Sequence, residues 1–94
     1  MNELAKEIAA WRDKKGFVTN WENMPEKLML VVTELSEAME AYRHYDHKEF
    51  ETEIADTFIR LFDICGSINL DIETAIKEKM EVNKQRPFKH GKTC

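Results

Sequence analysis

LMLVVTELSEAMEAY, residues 28–42, is apolar at helical spacing and yet carries carboxylates inside its apolar arc. At about 100° per residue, Leu30, Ala41, Ala38, Val31, Leu35 and Met39 fall on one continuous face. Glu34 projects into that face between Ala41 and Ala38, and Glu37 lies at its edge beside Leu30. Glu40 and Ser36 sit on the opposite, polar side, as an ordinary solvated helix would place them.

The next helical stretch repeats the anomaly. Ile54, Phe58, Leu61, Phe62, Ile64 and Cys65 belong to an apolar arc of roughly 220°, and Glu53 abuts its edge, with Asp56 one step further round. An unpaired carboxylate against a core costs several kcal/mol, so it must meet a cation or take up a proton. E-x-x-E is followed sixteen residues later by E-x-x-D. On antiparallel neighbouring helices, that spacing converges Glu34, Glu37, Glu53 and Asp56 on one point. An all-oxygen donor set of this kind suits a hard divalent cation. The competing reading is that the acids pair with bases, Lys27 and Arg60 being on the right faces.

Four helices account for the chain. The first spans roughly Asn2 to Lys15, closed by Gly16, and the stretch 17–23, FVTNWEN, forms a loop. Asn23 and Pro25 open the second, which continues to about His44. A tight turn around Tyr45 to His47 leads to the third, which runs to about Cys65 and stops near Gly66. Asp71 caps the fourth, which ends before Pro87. The expected fold is all-α: a single domain over residues 1–94, a compact four-helix bundle-like protomer, with residues 87–94 as a basic tail.

The bulk properties fit a soluble helical domain. Of the 94 residues 43% are hydrophobic and 34% charged, with three glycines and two prolines. Two cysteines make no disulfide framework, and no apolar run is long enough to span a bilayer. A cytoplasmic location with free thiols is expected. The net charge of −4 is unevenly placed: residues 77–92 carry +4 and the remainder −8. An acidic body with a basic end suits a metal site facing a phosphate clamp. Nucleic acid is disfavoured, because the bases are not laced with aromatics.

With no E-x-x-H for a di-iron site and no Cys-x-x-Cys for zinc, Mg²⁺ is the expected cation, with Mn²⁺ as substitute. Near the C-terminus Lys79, Asn83 and Arg86 share one helical face, and Lys92 follows in RPFKHGK. These donors complement phosphate oxygens. Trp21 is a candidate for stacking on a base.

The stretches TELSEAMEAYR (33–43) and ETEIADTFIRLFDICGSINLDIETAIKEKMEVNKQRPFKHGK (51–92) together resemble the MazG-like branch of the all-α NTP pyrophosphatase superfamily. The likeness covers about residues 25–92. Glu34, Glu37, Glu53 and Asp56 match four positions of that family's E-E-x-x-E…E-x-x-D metal motif, whose first position is Thr33 here. Lys79, Asn83, Arg86, Pro87, His90, Gly91 and Lys92 match its K…N…R-P…H-G-K ending. The resemblance implies Mg²⁺-dependent hydrolysis of nucleoside triphosphates, dNTPs among them, to monophosphate and pyrophosphate, in nucleotide-pool cleaning. Glu37 or Glu53 would then serve as general base. It also implies a homodimer or dimer of dimers, an assembly that the wide apolar arc of the third helix requires independently. The alternative is a non-catalytic helical interaction module in which acids and bases are merely salt-bridged.

Overall fold

The computed structural model describes residues 1–86, of which 78% are helical, with no strand among them. Helix α1 spans Asn2–Lys14, α2 Met24–Arg43, α3 His47–Ser67 and α4 Ile72–Lys84. All four expected helices form, with ends shifted by a residue or two. None is long and apolar enough to cross a membrane.

Local signals explain most of the boundaries. Gly16 ends α1 at φ 93, in the left-handed region that glycine reaches without steric cost. Asp46 caps α3 by accepting from the Glu49 amide, and Asp71 caps α4 by accepting from Thr74. Asn23 precedes α2 but its side chain does not cap it. Instead it closes the loop, accepting from the Asn20 amide and donating to the Val18 carbonyl.

Helix α3 ends near Gly66 as expected, but the glycine lies inside the last turn and does not itself terminate it. The helix runs through it to Ser67, and the missing side chain serves packing. A Cβ on Gly66 would collide with the Ala5 carbonyl and lie 2.8 Å from the Ala9 Cβ. The small residues Ala5 and Ala9 thus face α3, while Leu4 and Trp11 remain half exposed.

Helix α3 is the centre of the molecule, with α1 and α2 both packed along it. Met24, Val31 and Ile64 form the buried apolar cluster, with Ile68 against it. A second tie is polar. Asp63 is 3% exposed and accepts from Arg12 Nε at 2.9 Å, Thr19 Oγ1 at 2.9 Å and Ser67 Oγ at 3.0 Å. The Arg12 guanidinium also lies 4.7 Å from the centre of the Phe17 ring. Helix α4 buries no residue and packs only sparsely on the others. Its first turn is tied to α1 through Asn2, which donates to Asp71 Oδ1 at 2.7 Å and accepts from the Glu73 amide.

Candidate metal centre

The hairpin of α2 and α3 brings three of the four expected acids together. One carboxylate oxygen from each of Glu34, Glu37 and Glu53 lies within 4.8 Å of the other two. Glu34 and Glu53 are buried and Glu37 is exposed, so the cluster opens to solvent on the Glu37 side. Asp56, half-buried one turn along α3 from Glu53, is not part of that trio. Thr33, standing where the resembling family has a glutamate, bonds back to the Met29 carbonyl and adds no carboxylate.

The electrostatics show how costly this crowding is. Glu53 is 8% exposed, and its Oε1 is buried without a hydrogen-bond partner among the described residues. Its carboxyl is pushed up from 4.5 to about 8. The largest cause is the neighbouring Glu49 side chain, followed by burial and then by Glu34 and Glu37. Glu49 therefore bears on Glu53 from one turn back along α3, although it is not one of the three acids whose oxygens converge. The sequence signal for this was the i, i+4 spacing of Glu49 and Glu53, which puts both on one face of α3.

One base enters the cluster. Arg60 Nε donates to Glu34 Oε1 at 3.1 Å, with the side chains 26% and 10% exposed. The salt-bridged alternative is therefore realised in half: Arg60 takes Glu34, while Lys27 forms no ion pair among the described residues. Neither Glu37 nor Glu53 has a basic partner there.

The donor set fits a hard divalent cation. It is all oxygen, comes from two rigid helices and includes a buried oxygen with nothing else to bond. Among the described residues no other group of three or more metal-ligating side chains converges in this way.

The expected substrate residues are placed differently. Lys79 and Arg86 are exposed, and Asn83 is half-buried with its Oδ1 unpaired among the described residues. None is bonded to an acid of the cluster among the described residues. Trp21 is 70% exposed and lies beyond the N-terminal end of α2. Thirteen residues of helix separate Met24 from Glu37, about 20 Å of rise. Within one chain, Trp21 is therefore far from the acids. Lys92 lies outside the described residues, as do Pro87, His90 and Gly91.

No protein-family model matches the chain, and no curated protein or solved structure does either.

Proposed function

We propose that the chain is a Mg²⁺-dependent nucleoside triphosphate pyrophosphohydrolase, with Glu34, Glu37 and Glu53 as the cation's side-chain ligands and Asp56, one turn along α3, joining them only on a change of rotamer. The observation that carries this reading is the orphaned, buried Oε1 of Glu53 inside a three-carboxylate cluster. A buried polar atom without a partner calls for an explanation, and a bound cation in place of the proton supplies one. The resemblance to MazG-like enzymes supplies the reaction class.

Bound there, Mg²⁺ would offset charge on phosphate oxygens and favour ionisation of a nearby water. The protein's own groups do the rest. Glu37, exposed and unpaired, can take the proton from an attacking water as general base. Lys79, Asn83, Arg86 and Lys92 would serve the phosphates and Trp21 the base. Because α4 packs sparsely and Trp21 is remote, these groups would reach a site most simply from a second copy.

The surface supports such an assembly. Leu28, Val32, Leu35, Met39 and Tyr42 follow one another at spacings of four and three along α2, and each is at least 49% exposed. Phe58 on α3 is 53% exposed, its ring centroid 6.1 Å from that of Phe62. A stripe of this length is more apolar surface than a soluble monomer ordinarily leaves open. We propose that a homodimer, or a dimer of dimers, covers it.

The deciding measurement is pyrophosphate release from a panel of NTPs and dNTPs with Mg²⁺, for wild type, Glu53→Gln and Glu37→Gln. Wild type should release pyrophosphate and both variants should be inactive while keeping their helical circular dichroism. Near-wild-type turnover by either variant at saturating Mg²⁺ would remove the ligand assignment.

The Arg60–Glu34 pair is the observation that favours the second reading, a non-catalytic interaction module. Melting with Mg²⁺ and a non-hydrolysable triphosphate separates the two. A ligand of the native state raises stability by about 2.7 kcal/mol at a hundred times its dissociation constant, and an interaction module would show no shift.

A further inference from the structure

We infer that Arg60 is an exchangeable counter-ion, holding Glu34 while the acid cluster lacks a cation and turning to the phosphates when cation and substrate arrive together. This rests on the cation-site reading above.

The geometry is specific about which atoms are committed. Arg60 reaches Glu34 through Nε alone, at 3.1 Å. Its two terminal nitrogens make no hydrogen bond among the described residues and are not buried orphans. A guanidinium has five donors in a rigid fork, so most of its capacity is uncommitted at the lip of the cluster. The side chain is 26% exposed, against 10% for Glu34, so Arg60 can reorient without dismantling the core.

Charge supplies the direction of the exchange. Without a cation, Arg60 is the only base bonded to the trio among the described residues, and it offsets one carboxylate. A divalent cation bound to Glu34, Glu37 and Glu53 would sit within a few ångströms of the guanidinium, and like charges repel. Arg60 must then weaken its hold on Glu34. A polyphosphate bound at the same cation offers anionic oxygens to the free fork, which matches them bidentately. Arg60 is therefore a substrate-binding residue of the same chain as the acids, whereas Lys79, Asn83 and Arg86 touch none of them.

The test uses Mn²⁺ and inorganic tripolyphosphate as probes on the full-length protein, by calorimetry and by electron spin resonance of free Mn²⁺. Arg60→Gln should bind Mn²⁺ alone more tightly than wild type, on the order of tenfold, because a competitor is gone. It should bind tripolyphosphate in the presence of Mn²⁺ more weakly by a similar factor. Arg60→Lys should leave Mn²⁺ affinity near wild type and still weaken tripolyphosphate, because an ammonium lacks the fork. That variant keeps the charge and decides the matter if Arg60→Gln misfolds. Mn²⁺ and tripolyphosphate affinities falling together with the melting temperature would make Arg60 structural and overturn the inference. So would equal tripolyphosphate affinity for Lys and Arg. Wild type that binds no Mn²⁺ would overturn the cation site itself, and the role of Arg60 with it.

Discussion

Arg12 Nε and Asp63 Oδ2 lie 2.9 Å apart with side chains only 12% and 4% exposed, an ion pair that joins α1 to α3 beneath the surface. Asp63 also holds Thr19 and Ser67, so one carboxylate orders a helix, a loop and the helix it belongs to. Asp63→Ala would leave Arg12 and Thr19 without their acceptor. The expected cost is roughly 3–5 kcal/mol, read as a fall in the urea midpoint with little change in slope. A loss below about 1 kcal/mol would mean that water replaces the carboxylate.

Gly66 makes a complementary demand on the same interface. Gly66→Ala should destabilise by roughly 1–3 kcal/mol, because the new methyl meets the Ala5 backbone and not a side chain that could swing away. Thermal melting checks it. Helix propensity alone points the other way, since alanine is favoured over glycine in a helix by roughly 0.5–1 kcal/mol. An unchanged or raised melting temperature would show that α1 does not approach α3 so closely.

The acid cluster sets a pH dependence whose sign follows from Glu53. Its folded-state pKa of about 8 stands above the ordinary 4.5, so between those values the folded chain holds a proton that the unfolded chain has lost. Stability then falls as pH rises through that window. Cation-free protein should melt at progressively lower temperature from pH 4.5 towards 8. Mg²⁺ should recover more of the loss at the alkaline end, because it competes with the proton for the same oxygens. In Glu53→Gln both trends should flatten. A cation effect independent of pH would count against Glu53 as a ligand.

The open α2 stripe predicts association. Size exclusion with light scattering should give a dimer or tetramer at micromolar concentration, and Leu35→Glu should give aggregated or unfolded chains. A folded, active monomer would mean that the stripe serves another purpose.

Much of this was readable from sequence, for a definable reason. Helix positions and the convergence of Glu34, Glu37 and Glu53 depend on local periodicity plus one short turn, and both follow from residue spacing. The influence of Glu49 on Glu53 was equally accessible, since the two stand four residues apart on α3. Asp63 was counted with no site, because Arg12 and Thr19 reach it across 51 and 44 residues, a relation that no wheel displays. The end of α3 near Gly66 was legible, but a glycine near a helix end has two explanations, and only the position of Ala5 tells them apart. The remoteness of Trp21 was readable too, since Met24 and Glu37 stand thirteen residues apart on one helix.

The way α3 is shared has a kinetic consequence. Only three residues, 44–46, separate α2 from α3, whereas Arg12 and Asp63 are 51 apart. Compared contact for contact, Arg60–Glu34 closes 26 residues against 51, so the longer loop costs about 0.6 kcal/mol more in chain entropy. The α2–α3 hairpin, acids included, should therefore form ahead of the rate-limiting barrier, and α1 should dock after it. In a chevron experiment Asp63→Ala would then steepen nothing and slow nothing on the refolding arm, while raising the unfolding rate by nearly its whole free-energy cost. The Arg12–Asp63 contact governs how long the folded chain lasts, and the hairpin governs how soon it appears.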